Sequence, residues 1–376
     1  MIINRTPFRI SFFGGGTDYP SWYLKYGGRV LSTSINKYCY ITCRALPPFF
    51  EHKLRIVYSK IERCQHYREI KHPAVRETLR FLKLDQGLEI HHDGDLPARS
   101  GMGSSSSFTV GLLHTLYAHQ GIMPSKKQLA LESIHIEQNL IKETVGSQDQ
   151  ICVAYGGLNS INFSTSGEID VQPVTLPMRR TEQLNSHLML FYTGIRRTAS
   201  DVAQEYVNDL DNKHKLLSQM QTMVEASIEI LSSGSDICEF GELLHKTWML
   251  KRELGSNVSS PTVDELYERA KGAGAIGGKI TGAGGGGFLL LFVPPSKQKK
   301  VREALAEKIH VPFRFESSGS RIIFYQPEHE DYGELEKDRV TRMISSFKEL
   351  ESIEKRSNIK DIVKVRKNKT DTGSVV

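Results

Sequence analysis

The 376 residues are 39% hydrophobic and 24% charged, enough to bury a core of about two domains and too apolar for wholesale disorder. No apolar run approaches the ~18 residues of a membrane helix, the longest being Phe288 to Val293, and Met1 to Arg9 lacks the marks of a secretory signal, so a soluble, cytoplasmic protein is expected. The formal charge of +6 comes from scattered Lys and Arg, weak support for nucleic acid and equally suited to phosphorylated small molecules; five cysteines without a Cys-x-x-Cys pair argue against a disulfide framework or zinc site and for buried thiols.

Strand-like runs dominate the first part: Phe8 to Phe13, Val30 to Ala45, Leu54 to Tyr58 and Leu88 to His92. A helix is predicted from Ser104, with Phe108, Leu112, Leu113 and Leu116 on one face and Gly121 as its stop, and another from Ser125 through Lys142. The Pro-containing stretch Glu168 to Thr181 reads as the passage to a second lobe, with an edge strand as the alternative. Beyond it the pattern predicts a strand at His187 to Tyr192, helices over Ser200 to Leu231, Ile237 to Leu254 and Thr262 to Lys271, and a strand at Gly287 to Val293. A helix over Ser296 to Ile309 and a strand at Arg321 to Tyr325 complete an expected α+β lobe. After Pro327 the chain turns charged, yet Leu335, Val340, Met343, Ile344, Phe347 and Leu350 keep an apolar helical face, which is expected either to dock on the second lobe or to form a homodimer contact. Lys355 to Lys369 reads as a solvated basic tail.

Three glycine-rich segments punctuate this order. The first, Arg9 to Asp18, runs a strand into Gly14, Gly15 and Gly16 and then a carboxylate; taken alone it is as well explained by a turn. The second, Pro97 to Ser107, opens an amphipathic helix with glycines and small hydroxyls, a setting in which free N–H groups and the positive helix end favour an anion, against the plainer reading of a serine-rich cap. The third, Gly272 to Gly287, holds a Gly-x-Gly-x-x-Gly match and a near match to a phosphate loop. An amphipathic helix precedes it and an apolar strand follows, the reverse of the dinucleotide order, so close packing against another loop or a ligand is the expectation. His91, His92, Asp93 and Asp95 lie together at a strand end and are not expected to hold a metal.

In this order and spacing the three segments resemble the motifs of the GHMP kinases, the family of galactokinase and of homoserine, mevalonate and phosphomevalonate kinases, over roughly Arg5 to Tyr325. The run Glu137 to Gln150, with a helical glutamate before Gly146-Ser-Gln-Asp149-Gln150, resembles the sugar-kinase branch, and Phe191-Tyr-Thr-Gly194 with the opening Gly-Gly-Gly-Thr-Asp is similar to its heptose phosphate kinases. Galactokinases usually carry Glu-His where this chain has Gly15 and Gly16, and residues after about Pro327 are unmatched.

The resemblance implies a two-lobed α+β GHMP kinase fold, its N-terminal lobe (1–175) like the ribosomal-protein-like βαβ fold and its C-terminal lobe (176–327) ferredoxin-like, followed by an extension (328–376). It also implies the chemistry. Asp149 would take the proton of a sugar hydroxyl, Arg9 would keep that carboxylate ionised, and Pro97, Arg99, Ser100, Gly101, Met102, Gly103, Ser104, Ser105 and Ser106 would hold ATP. Ser105 and Glu137 would bind Mg2+. Gly15, Gly16, Thr17 and Asp18, with Thr281, Gly282, Gly284 and Gly285, would surround the sugar, Asp18 accepting from its hydroxyls. Arg196 and Arg197 would clamp a phosphate on it. The expected reaction moves the γ-phosphoryl of ATP to the anomeric hydroxyl of a heptose phosphate; a fucokinase-like activity and a non-catalytic sugar sensor are the alternatives.

Overall fold

The computed structural model describes residues 1–98, 100–195, 202–204, 207, 209–327 and 332–342. Two sheets organise it. The nine-stranded sheet draws on β1 (Ile2–Phe13), β2 (Gly28–Ala45), β3 (Leu54–Val57), β4 (Ile61–Cys64), β5 (Leu88–Gly94), β6 (Leu158–Phe163), β7 (Ile169–Pro173), β12 (Phe315–Glu316) and β13 (Arg321–Tyr325), with the path β13-β1-β2-β5-β3-β4. The long β2 serves two partners: Gly28 to Thr33 pairs with β6 and Cys39 to Ala45 with β5. β7 pairs with β6 alone, so the edge strand is the alternative that formed in the Pro-containing stretch. β3 and β5 run parallel, joined across β4 and the helix α2 (Pro73–Phe81).

The four-stranded antiparallel sheet contains β8 (Leu188–Tyr192), β9 (Gly277–Ile280), β10 (Phe288–Phe292) and β11 (Ile309–His310) in the order β11-β8-β10-β9. Numbered from β8, that order is 4-1-3-2 in a β-α-β-β-α-β chain, the ferredoxin-like arrangement. The remaining helices are α1 (Pro20–Tyr26), α3 (Ser104–His119), α4 (Lys126–His135), α5 (Gln148–Tyr155), α6 (Met178–Ser186), α7 (His214–Ser232), α8 (Cys238–Arg252), α9 (Pro261–Gly272), α10 (Gln298–Ala304) and α11 (Tyr332–Thr341).

Four expectations need correction. The helix expected over Ser200 to Leu231 is broken by turns at residues 209–213 and resumes at His214. Arg321 to Tyr325 does not complete the second lobe: it pairs antiparallel with β1 and returns the chain to the first sheet. The helix expected to reach Ile309 stops at Ala304, because Ile309 and His310 are taken up pairing with β8. The helix expected to run unbroken to Lys142 changes pitch at Ile136 into a π-helical turn, Ile136–Ile141, which ends on Lys142 in the left-handed region (φ 65°). A local widening of this kind re-aims side chains and recurs at functional sites.

β1 alternates buried and half-buried residues as far as Arg5 and is wholly buried from Thr6 to Phe13, as a strand covered on both faces must be. α3 is buried on nearly every side, and its Gly111 lets the helix approach Asn4 and Thr6 of β1 closely. At the end of β1, Phe12 and Phe13 meet Phe240 of α8 edge-on, with ring centroids 5.5 and 5.0 Å apart, which ties the second lobe to the strand that carries Arg9. All five cysteines are free thiols, four of them buried. Among the described residues no helix is long and apolar enough to cross a membrane, and no cluster of three or more His, Cys, Asp or Glu has metal-binding geometry, the His91–Asp95 group included.

Candidate active site

The first glycine segment, the start of α3, the Glu143–Asp149 loop and α8 converge on one pocket. Its floor is an ion pair. Arg9 donates from Nε and Nη2 to the two carboxylate oxygens of Asp149, each at 2.6 Å, and from Nη1 to the Gly101 carbonyl at 2.8 Å. β1 buries Arg9 (3% exposed), and Asp149 sits in the first turn of α5, where the positive helix end favours a carboxylate. Burial works against the Arg9 charge, but Asp149 outweighs it and raises the guanidinium pKa.

Gly101 and Gly103 take positive φ (76° and 74°), and Gly103 is the N-cap of α3, so the chain turns sharply and leaves the first N–H groups of the helix outside its hydrogen-bond ladder. A Cβ at Gly103 would stand 3.0 Å from Arg9 Cγ and 3.5 Å from Asp149 Oδ2, so this anion-suited loop abuts the carboxylate directly. Of the residues expected to hold a nucleotide, Gly101, Gly103, Ser104, Ser105 and Ser106 line the pocket. Pro97, Ser100 and Met102 do not: Ser100 donates to the Pro97 carbonyl at 2.6 Å, and the Met102 carbonyl accepts from the Arg9 backbone at 3.1 Å, so these three shape the loop. Arg99 lies outside the described residues.

Behind the loop, Glu137 is fully buried on the π-helical turn, accepting from Ser106 Oγ at 3.0 Å and from Gln150 Nε2, while its Oε1 has no hydrogen-bond partner. Burial pushes its pKa up to about 7. A buried carboxylate beside a seryl hydroxyl, once ionised, suits a hard divalent cation. The hydroxyl set against Glu137 is that of Ser106; Ser105, expected to share the metal, is an exposed residue on the pocket wall.

On the other side Asp18 is buried (1% exposed), accepting from the backbone N–H of Gly16 at 3.0 Å and of Gln148 at 3.3 Å. Burial, with the nearby Asp149 charge, raises its pKa. Gly15 and Gly16 line the pocket with it, and Gly146 leaves the space that the Asp18 carboxylate occupies. Thr17 does not line the pocket: its buried hydroxyl donates to the Gly14 and Arg29 carbonyls at 2.8 and 3.1 Å and stitches the turn to β2.

The third glycine segment is chiefly a scaffold. Gly282 lines the pocket, and a Cβ there would lie 2.7 Å from Gly101 Cα, so the segment is pressed against the phosphate-type loop. Thr281 directs its hydroxyl to the Phe288 carbonyl at 3.3 Å, Gly285 donates its N–H to the Val258 carbonyl at 2.8 Å, and Gly284 packs on Val258, so Thr281, Gly284 and Gly285 do not line the pocket. Arg196 and Arg197 lie outside the described residues.

Several lining groups were not anticipated. Ser11 Oγ and Gln148 Oε1 are buried without hydrogen-bond partners, the kind of convergent polar atoms that a hydroxylated ligand satisfies. Lys279 Nζ donates to the Ser11 and Phe12 carbonyls at 3.0 and 2.9 Å, and burial together with Lys251 and Arg9 lowers its pKa strongly. Lys251, 4% exposed, donates to the Gly282 carbonyl, and burial, with Arg9 adding to it, lowers its pKa to about 7 against the pull of Asp18 and Asp149. A signal existed: Phe240, Leu244, Thr247 and Trp248 mark the buried stripe of α8, and position 251 continues it, so a lysine there is an interior charge.

Residues 68–157 match the N-terminal domain of the GHMP kinases and residues 223–311 their C-terminal domain. The chain is similar to D-glycero-alpha-D-manno-heptose 7-phosphate kinase of Campylobacter jejuni, 26% identical over 82% of this chain and 94% of that one. It is also similar to the L-fucokinase/L-fucose-1-P guanylyltransferase of Bacteroides fragilis, 28% identical over 83% of this chain but only 37% of that longer protein. Its fold is that of a D-glycero-D-manno-heptose 1-phosphate kinase from Bacteroides thetaiotaomicron (TM-score 0.71, 21% identity, covering 87% of this chain and all of that one). It is equally that of Lactococcus lactis galactokinase (TM-score 0.66, 18% identity, 85% and 94% covered).

Proposed function

Because the chain belongs to the GHMP kinases and is a sugar kinase among them, using ATP as its phosphoryl donor, we propose that it transfers the γ-phosphoryl group to the anomeric hydroxyl of D-glycero-D-manno-heptose 7-phosphate. The observation that carries the reaction is the Asp149 carboxylate, held from two sides by Arg9 and set against the loop at the start of α3.

A sugar hydroxyl attacks phosphorus slowly while it keeps its proton. Asp149 accepts that proton as the new O–P bond forms and the bond to the ADP oxygen breaks. Arg9, spending Nε and Nη2 on both oxygens, fixes the carboxylate orientation. The loop from Gly101 to Ser106 receives the phosphates on backbone N–H groups at the positive end of α3. Asp18 and Gln148 orient the sugar, with Gly15 and Gly16 leaving room for it. Glu137, with the Ser106 hydroxyl beside it, would hold Mg2+, which when bound supplies positive charge to the nucleotide phosphates.

The choice of acceptor rests on the C. jejuni relative, named for a heptose 7-phosphate and matched over almost its full length. The fucokinase similarity supports an unphosphorylated sugar as the competing acceptor. ADP release measured over heptose 7-phosphate, free heptose, fucose, galactose and mannose tests the proposal. The highest kcat/KM is expected for heptose 7-phosphate; equal values for the phosphorylated and free heptose would overturn the phosphorylated acceptor, and no turnover with any sugar would overturn the reaction.

A further inference from the structure

Phosphoryl transfer spreads negative charge over the moving group, and a kinase meets it with preorganised cations. Among the described residues three cationic side chains line the pocket: Arg9, Lys251 and Lys279. Two of them are committed elsewhere. Arg9 directs Nε and Nη2 to Asp149 and Nη1 to the Gly101 carbonyl. Lys279 is held by the Ser11 and Phe12 carbonyls and braces the end of β1. Lys251 gives one hydrogen to the Gly282 carbonyl, which leaves two of its three donors uncommitted on the pocket wall, against one of three for Lys279 and two of five for Arg9.

Its position is equally specific. The carbonyl that anchors Lys251 belongs to Gly282, whose backbone packs on Gly101, the residue that opens the phosphate-type loop and accepts from Arg9. Lys251 therefore stands where the loop meets the Arg9–Asp149 pair. It lies on the same buried stripe as Thr247 and Trp248, on a helix that contributes no other described residue to the pocket wall.

We propose that Lys251 is a catalytic residue of the transfer, its ammonium contacting the phosphoryl group as that group passes from ATP to the acceptor held at Asp149. A lysine suits this role as a compact point charge able to follow a moving oxygen, whereas the planar fork of Arg9 is spent in fixed geometry. A charge that acts on the moving group stabilises the transition state more than either bound substrate, so its loss falls on kcat and leaves KM nearly alone.

This inference rests on the kinase reading, and the experiment separates the two. The wild type is first assayed for ADP release with the best acceptor; absence of turnover there counts against the kinase reading itself. With wild-type turnover in hand, Lys251→Met is expected to lower kcat about a hundredfold or more while KM for ATP and sugar moves less than about threefold, and Lys251→Arg is expected to recover part of the loss. Calorimetric binding of ATP to Lys251→Met certifies the folded site. Unchanged kcat in Lys251→Met would overturn the proposal. A rise confined to the sugar KM would also overturn it, moving the lysine to acceptor recognition, and loss of ATP binding would make it a scaffold cation.

Discussion

Replacing Asp149 by Asn keeps the shape of the side chain and removes both its charge and its ability to take a proton. Two losses follow from the geometry. Without the base, turnover is expected to fall about a hundredfold or more, equivalent to roughly 2.7 kcal/mol of barrier. The second loss is structural: Arg9 now faces one carbonyl oxygen and one amide NH2 where it had two carboxylate oxygens at 2.6 Å, so one donor meets a donor. Breaking a buried pair costs about 3 to 5 kcal/mol, and because the Asp149 side chain is 25% exposed the lower end applies, about 3 kcal/mol or less. The measurements are kcat by coupled ADP release, ATP affinity by calorimetry and the urea midpoint of unfolding. Expected are a large fall in kcat, a moderate fall in midpoint and ATP affinity within a fewfold of wild type. A folded Asp149→Asn enzyme that turns over at near-wild-type rate would refute the assignment of Asp149 as base.

Two further substitutions probe the site from its supports. Glu137 has its pKa raised by burial from 4.5 to about 7, so between those values the folded protein keeps a proton the unfolded chain has released, and stability falls as pH rises until the loss is complete above about 7. At 1.36 kcal/mol per unit this is about 3 kcal/mol; urea unfolding in EDTA should show Glu137→Gln gaining that much on the wild type between pH 4.5 and 8, and a pH-independent difference would refute it. Added Mg2+ should raise the wild-type midpoint at pH 8 and leave that of Glu137→Gln nearly unchanged. Gly101→Ala combines a positive φ with a Cβ 2.5 Å from the Thr281 carbonyl, whereas Gly121→Ala has a similar φ (72°) and nothing within 4 Å. Gly121→Ala should cost about 1–2 kcal/mol and Gly101→Ala clearly more, with weakened ATP binding; equal urea midpoints would show that the loop does not need the close approach.

Much of the first lobe was legible along the chain because its signals are local. Strand alternation marked β1, β2, β3 and β5, and the run of apolar residues after Ser104 marked α3, since each buries its own pattern against the same sheet. The glycine segments were legible as loops, and the close packing expected of the third is what Gly282 and Gly284 do against Gly101 and Val258. What the chain order hid was pairing at long range. Arg321 to Tyr325 reads as a strand in either lobe, and only its register with Ile2 to Arg5 decides for the first. Thr17 and Thr281 carry the hydroxyls of plausible ligands, but whether a hydroxyl faces a ligand or a carbonyl depends on neighbours supplied from elsewhere, here Arg29 of β2 and Phe288 of β10. The same holds for charge. Arg9 and Asp149 are 140 positions apart, and the stripe of α8 marks Lys251 as interior without showing that the charges it meets are those of Arg9, Asp18 and Asp149. Residue types and periodicity set which segments form helices and strands, because those preferences act over a few residues. Which charges meet in a water-poor pocket, and which cation keeps most of its donors uncommitted, was decided by tertiary structure, because desolvation and pairing depend on distances that sequence separation does not encode.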